Sequence, residues 1–299
     1  MSCMKKMSTI KPNFFVAGGS KCGTTNISYY LQQHPKIFFS ELNEPYYFAK
    51  NDVPKNFKRD SMITEYREYL DLFKNAKDAE VVGEASSVYL ACPNAPKLIF
   101  ETFPNAKILI SIRNPIERAH SAYFSYKFMQ LNEESFSEMI EIHKKLIDSK
   151  EFFIYSILES GFYTEKIKRY QKIFPKDNIK IIIFEEYIKN SLSHINDILD
   201  FLGVDSINEL NDAPKGAYRV PKNKISNMLL KSKLFRNTAS KLIPTVKRQE
   251  IGDRFLVKQA SKPQMNDKDR ERLKEIYSEE VKRLKEHLQL DLPWNDFKD

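Results

Sequence analysis

No stretch of this 299-residue chain approaches 18 consecutive apolar residues, and its opening, MSCMKKMSTIKPN, lacks the long apolar segment of an export signal. Both absences predict a chain without a transmembrane segment and with a cytoplasmic location. Cysteine is scarce as well. Cys3, Cys22 and Cys92 form an odd, widely spaced set with no C-x-x-C, which fits a reducing compartment and argues against structural zinc. No tight cluster of Asp, Glu or His has metal-ligand spacing, and no internal repeat is present, so no metal is expected. What the chain has is charge: 48 Lys and Arg against 40 Asp and Glu, a net +8. That surplus suits an anionic ligand, a nucleic acid or an anionic surface without choosing among them. The basic residues are spread among acidic ones and no nucleic-acid reader motif appears, so nucleic acid is not an expected partner.

Strand-like and helix-like runs alternate along the chain, as a parallel doubly wound sheet requires. The strand candidates are Phe14–Ala17, Lys36–Phe39, Glu80–Glu84, Ile108–Ile112 and Ile179–Phe184. Helices are expected near 24–34, 64–74, 94–103, 115–129, 162–174 and 191–203, and 135–160 reads as helical or as part of the acceptor wall. From 211 the texture changes to NDAPKGAYRVPKNKISN, rich in Pro, Asn and Lys, which reads as a loop. Residues 267–289 form a charged helix with an apolar stripe of Leu273, Ile276, Tyr277, Val281, Leu284 and Leu288. The fold class is therefore α/β, a P-loop-like doubly wound parallel sheet flanked by helices with a helical C-terminal segment. A single domain over 1–299 is expected, with the α/β core at 12–205.

Two strand-to-helix switches carry chemistry. In FFVAGGSKCGTT, residues 14–25, an apolar strand ends in Gly18-Gly19 and a helix starts at Thr24. Glycines allow positive φ and close backbone approach, so such a turn points N–H groups and the positive end of a helix at one anion. In the standard triphosphate loop a lysine follows the last glycine and a hydroxyl ligates Mg²⁺. Here Lys21 precedes Gly23, and Thr24-Thr25 follow it, which argues against a kinase or nucleotidase. In KILISIRNPIERAHSAYFSY, residues 107–126, Arg113 stands at the carboxyl end of a strand, where open α/β sheets bind ligands. Asn114 and Pro115 suit the start of the next helix, and Ser121 lies about two turns into it.

The order G-x-x-K-x-G-T-T at Gly18 to Thr25 resembles the 5′-phosphosulfate loop of sulfotransferases that use 3′-phosphoadenosine-5′-phosphosulfate (PAPS), and R-x-P-x-x-R-x-x-S-x-[YF] at Arg113 to Tyr123 is similar to their 3′-phosphate motif. The branch it most resembles is the heparan-sulfate type with the bacterial carbohydrate sulfotransferases, on NEPYYF (43–48), GEASSVYL (83–90) and GFYTEKIKRYQKIFP (161–175). The resemblance implies that Gly19, Ser20, Lys21, Cys22, Gly23, Thr24 and Thr25 hold the 5′-phosphosulfate and that Arg113 and Ser121 hold the 3′-phosphate. It implies a PAPS co-substrate, no metal, and an acceptor hydroxyl, on a carbohydrate or alternatively on a lipid, polyketide or phenol. Lys215, Gly216 and Arg219 in KGAYRVPKN match the family's cofactor-closing loop in placement, so 211–299 supplies that loop and the C-terminal helices. The family's K-G-R-x-H-P stretch is replaced by SKPQMND (261–267), which shares only Lys262 and Pro263.

Sulfuryl transfer needs a cation at the leaving oxygen, assigned to Lys21, and a base for the acceptor proton. Glu44 matches the proposed base of the heparan-sulfate branch; Tyr46, Tyr47 and Phe48 beside it, with Tyr123, Phe124 and Tyr126, read equally as platforms for a sugar ring or as core residues. Glu84, at the end of the third strand, is the alternative base or an acceptor ligand. Cys22 lies within the phosphate loop and is a candidate for modification, and Arg118 is read as a buttress of its helix. The five histidines read as packing or surface residues: His34 ends a helix, and His120 points to a different helix face from Ser121.

Overall fold

The computed structural model describes residues 10–298 apart from 41, 54–61, 129–132, 150–155, 212–217, 233–237 and 239–254, with only the backbone of Arg219, Lys231 and Gln259. Five short strands build one parallel sheet: β1 (Phe14–Val16), β2 (Ile37–Phe39), β3 (Val81–Ala85), β4 (Lys107–Ile112) and β5 (Ile179–Ile183), in the order β2-β3-β1-β4-β5. The first strand therefore sits in the middle. The chain winds from it first to β2 and β3 on one side and then crosses to β4 and β5 on the other, so the order reverses between β1 and its neighbour β4. That reversal opens a crevice at the strands' carboxyl ends.

Alternation of side chains along each strand divides the core in two. Phe15 and Ala17 with Ile108, Ile110 and Ile112 face one layer; Phe14 and Val16 with Leu109 and Ile182 face the other. The second layer is closed by α1 (Thr24–Leu31) and α8 (Ser191–Leu202) through Ile27, Leu31, Ile195, Ile198 and Leu199. The first takes α3 (Ala95–Thr102), α4 (Pro115–Phe128), α6 (Thr164–Gln171) and α10 (Asp267–Leu288). Among the described residues the chain also forms α2 (Tyr66–Asp71), α5 (Phe136–Asp148), α7 (Phe184–Lys189) and α9 (Lys224–Lys231). In α10 the sequence stripe is the buried face: Leu273, Tyr277, Val281 and Leu284 are enclosed, while Ile276 and Leu288 are partly covered. Asn266 starts that helix by accepting the Asp269 N–H at 2.7 Å, which satisfies one of its orphan donors.

Each strand of the main sheet was legible within a residue or two. Two features were not. Helix α7 begins at Phe184, which reads as a strand end in sequence. Within the segment read as a loop from 211, Arg219–Pro221 (β6) pairs antiparallel with Val257–Gln259 (β7), and α9 lies between them in sequence. The pairing residues are too few and too far apart along the chain to give a periodic signal. In 135–160, α5 ends at Asp148 and one 3₁₀ turn forms at Glu159–Gly161; 150–155 lie outside the described residues.

Gly18 shows how closely β1 and β4 approach at the crevice. A Cβ there would stand 2.8 Å from the Ser111 backbone nitrogen and 2.9 Å from Thr24 Cγ2, closer than real side chains come. Gly18→Ala is therefore expected to cost about 1–3 kcal/mol as an overpacking change, read as a fall of several degrees in the thermal midpoint. An unchanged midpoint would show that this contact does not limit the fold.

Candidate active site

The phosphate loop is wound around β4. The Gly19 N–H donates to the Ser111 carbonyl at 2.9 Å, and Ser111 Oγ returns a bond to the Cys22 carbonyl at 2.6 Å. Lys21 (φ 70°) and Gly23 (φ 83°) both take the left-handed conformation, and Gly23 stands at the N-cap of α1. A left-handed lysine carries a steric cost that glycine does not, and such strain is found where the surrounding structure over-determines the backbone. Ser20, Lys21 and Gly23 are half-buried, Thr25 is exposed, and Thr24 is buried. The loop therefore presents backbone N–H groups and a lysine at a helix N-terminus, as an anion site does. Cys22 contributes only backbone. Its thiol is fully buried, 3.7 Å from the Tyr163 hydroxyl, and burial pushes it up to about 11. The expectation of a modifiable cysteine is corrected on that ground: the sulfur is neither accessible nor a thiolate.

Arg113 meets the loop from the end of β4. Its Nη1 donates to the Lys21 carbonyl at 3.1 Å and its guanidinium lies over the Phe184 ring, 4.6 Å from the centroid. Glu185 stands 3.9 Å from Nε, yet buried Nε has no hydrogen-bond partner among the described residues. Glu185, which sequence reading missed along with α7, organises the turn. It accepts the Asn114 N–H at 3.0 Å and the Trp294 Nε1–H at 2.9 Å, while Asn114 Nδ2 reaches Asp296 at 2.9 Å. Ser121 is half-buried on α4. Arg118 is a buttress, as its pattern suggested: it is fully buried and donates to the Ile157 carbonyl.

Lys262 is the second residue the sequence left unassigned. Burial, and then the positive charges of Arg113 and Lys21, hold its ammonium below the usual lysine range, so Lys21, Arg113 and Lys262 share one electrostatic neighbourhood. Lys262 also lines a cavity of about 450 Å³ with Glu117 and His120 of α4 and with Arg270. Arg270 ties that wall together, bonding Glu117 at 2.5 Å and Asp296 at 2.7 Å. Burial and then Lys262 push the His120 imidazole down to about 4, so it is neutral at pH 7. The signal in sequence was the shared Lys-Pro of SKPQMND, too short to assign alone.

The two carboxylates separate by environment. Glu44 has φ 53°, and its N–H donates to the Ala85 carbonyl at 3.2 Å, which brings it to the carboxyl end of β3. The half-buried carboxylate accepts Tyr46 Oη at 2.5 Å, the Ser87 N–H at 3.3 Å and the Ser87 hydroxyl. Glu84 is completely enclosed and accepts hydroxyls of Ser86 at 2.5 Å, Tyr69 at 2.8 Å and Tyr89 at 3.1 Å. Two of those hydroxyls reach onward: Ser86 Oγ accepts the Tyr46 N–H at 3.3 Å, and Tyr89 Oη accepts the Phe48 N–H at 3.2 Å. Glu84 thus grips the turn that follows Glu44. Burial raises its carboxyl to about 7, against the three hydroxyls that favour the ionised form.

Burial decides between platform and core for the aromatics. Tyr46, Tyr47, Phe48, Tyr123 and Tyr126 are buried in the main core, where Tyr47 stacks on Tyr69 at 4.4 Å; of that set only Phe124 is half-buried. Lys215 and Gly216 lie outside the described residues, and Arg219 is described only as β6 backbone. Among the described residues no three His, Cys, Asp or Glu come together to hold a metal ion, and no helix is long and apolar enough to cross a membrane.

The raised carboxyl of Glu84 makes a pH prediction. Unfolded it titrates near 4.5 and folded near 7, so the folded state holds the extra proton between those values and stability falls as pH rises through them. The thermal midpoint of the wild type minus that of Glu84→Gln should decline across this window and level off above it. A difference that is flat with pH would mean that the carboxyl is ionised throughout.

The model of the sulfotransferase domain matches residues 11–285 of the chain. Membrane-associated sulfotransferase kil1 of Dictyostelium discoideum is 33% identical over 144 residues, covering 46% of this chain and 29% of that protein. Human carbohydrate sulfotransferase 15 is 23% identical over 255 residues, covering 68% of this chain and 45% of its own length. The chain thus spans less than half the length of these curated relatives. A solved sulfotransferase from Alicyclobacillus acidocaldarius superposes with a TM-score of 0.73 and 26% identity, over 95% of this chain and 98% of that one. With the phosphate loop, the Arg113 turn and the sheet order all lying within the matched span, the chain belongs to the sulfotransferase family.

Proposed function

We propose that this chain is an enzyme that moves a sulfuryl group from PAPS to the hydroxyl of a carbohydrate. The observation that supports it most is that a glycine-wound loop is bonded to the guanidinium of Arg113 and shares an electrostatic neighbourhood with the ammonium of Lys262, which itself lines a cavity of nucleoside size. A doubly phosphorylated nucleotide fits that donor set. The buried Arg113 Nε is a hydrogen-bond donor without an acceptor among the described residues, and the loop starts from a glycine where a methyl would crowd Ser111 and Thr24. On this reading the core at 12–205 and the segment 211–299 work as one catalytic unit, since Lys262 comes from the second.

PAPS is the donor substrate and supplies the sulfuryl group and a phosphate leaving group. Lys21, with the N–H groups of Gly23, Thr24 and Thr25 at the positive end of α1, stabilises the charge that collects on the bridging oxygen as the sulfur–oxygen bond breaks. Arg113 and Ser121 take the 3′-phosphate, and Lys262 adds a cation. Because these charges come from the protein, no metal is required. Glu44 takes the acceptor proton as the new oxygen–sulfur bond forms; its carboxylate is held by Tyr46 and Ser87 and is partly open to solvent. Glu84, enclosed and committed to three hydroxyls, positions the Glu44 turn. The carbohydrate acceptor rests on the human relative's name, and a panel of sugar, lipid and phenol acceptors with labelled PAPS and a chelator present tests both the acceptor and the metal independence.

Adenosine 3′,5′-bisphosphate should raise the thermal midpoint much more than adenosine 5′-monophosphate at equal concentration, because only the former fills the Arg113 and Ser121 site. Equal shifts count against that assignment.

Lys21→Ala should lower turnover by at least about 10²-fold, and Glu44→Gln by about 10²–10⁴-fold while leaving the bisphosphate shift intact. A Glu44→Gln enzyme within a few-fold of wild type, beside a dead Glu84→Gln, would transfer the role of base to Glu84.

A further inference from the structure

The positive charge of this chain is not evenly spread. Residues 215–258 hold twelve Lys and Arg against two Asp and Glu, a net +10 in a chain whose total is +8, so the rest of the molecule is slightly acidic. The described part of that segment is the small lobe of β6, α9 and β7. Its stretches 218–232 and 255–262 contain no acidic residue at all. Lys222, Lys224 and Lys258 are exposed there. The same lobe exposes large apolar side chains: Ile225 is 67% exposed, Met228 66% and Phe255 59%.

The lobe is a defined unit. The Lys222 N–H donates to the Leu256 carbonyl at 2.9 Å, which extends the β6–β7 ladder and sets Phe255 next to the start of α9. Asn223 caps that helix by accepting the Ser226 N–H at 2.8 Å. Ile225 and Met228, three residues apart, share one side of it. The lobe meets the main body through Tyr218, whose ring packs against Phe124 of α4 at 5.0 Å.

We propose that this lobe docks the protein on a bilayer surface that carries anionic lipid. Exposed lysines in a segment of net positive charge are attracted to the negative potential of such a surface, and that potential acts within a Debye length of the headgroups. The apolar side chains then enter the boundary between headgroup and acyl chain. Neither signal anchors a protein well alone, and the lobe has both. The apolar residues are what distinguish a bilayer from a soluble polyanion. A polyanion is bound by cations and gives no use to three bulky aliphatic and aromatic side chains held out in water. This inference stands apart from the sulfuryl-transfer reading, because docking needs neither donor nor acceptor.

Co-sedimentation of the full chain with vesicles tests it. The chain should sediment with phosphatidylcholine vesicles that contain phosphatidylserine, remain in solution with phosphatidylcholine alone, and be released in part by high salt. Ile225→Asp with Met228→Asp should lower partitioning at least about tenfold by removing apolar insertion. Lys222→Gln with Lys224→Gln, which leaves the apolar residues in place, should lower it as well. Thermal midpoints near that of the wild type confirm that both variants fold. Absence of binding to the phosphatidylserine vesicles overturns the proposal. So does an aspartate variant that sediments like wild type while the glutamine variant loses retention on a sulfated polysaccharide column, since the cations would then serve a soluble polyanion.

Discussion

Gly18 and Ser111 come so close that no methyl fits between them, and the loop that follows is tied to the same short stretch of β4 by two hydrogen bonds. Because β1 and β4 are neighbours at the point where the strand order reverses, this contact brings two segments nearly a hundred residues apart to one crevice. The left-handed turn at Lys21 and Gly23, the helix N-terminus at Thr24 and the Arg113 bond to the Lys21 carbonyl all follow from it. A loop set at a different height on β4 would leave Arg113 without its carbonyl partner and Lys21 on a different path.

Around that crevice the protein tolerates buried charge for the sake of position. Glu84 is enclosed with its carboxyl raised toward neutrality, which costs stability at and above neutral pH. In return, two of the hydroxyls it gathers accept the backbone N–H groups of Tyr46 and Phe48 and fix the turn beside Glu44. Glu185 acts similarly on the other side, holding Asn114 and Trp294 while standing near the Arg113 guanidinium. Glu84 and Glu185 are spent on holding these turns, so neither is free to serve as the partly open carboxylate that Glu44 offers.

Cationic charge enters the molecule at two scales. Lys21, Arg113 and Lys262 are few, partly buried and mutually felt, and they form the local field of the crevice. Lys222, Lys224 and Lys258 of the β6–α9–β7 lobe are exposed, in the same lobe as side chains that water does not favour. The overall +8 hides this division because the remainder of the chain is close to balanced.

The sequence determined the main sheet, because its strands are short apolar runs ending in glycine, glutamate or arginine and are separated by helices of clear period. It also determined the phosphate loop and the Arg113 turn, since both are local: glycine position, a capping Asn-Pro and a strand end lie within a few residues of one another. The roles of the two glutamates were not legible. Glu44 follows a strand and Glu84 ends one, and only burial and hydroxyl partners contributed by Tyr69 and Tyr89 distinguish them. The aromatics beside Glu44 read equally as platform or core, and packing against Phe15 and Tyr69 decided for core. Lys262, Glu185 and the β6–β7 pair depend on partners distant along the chain. Such contacts leave no period in a sequence, because they are set by where the sheet and helices bring each segment and not by its own neighbours.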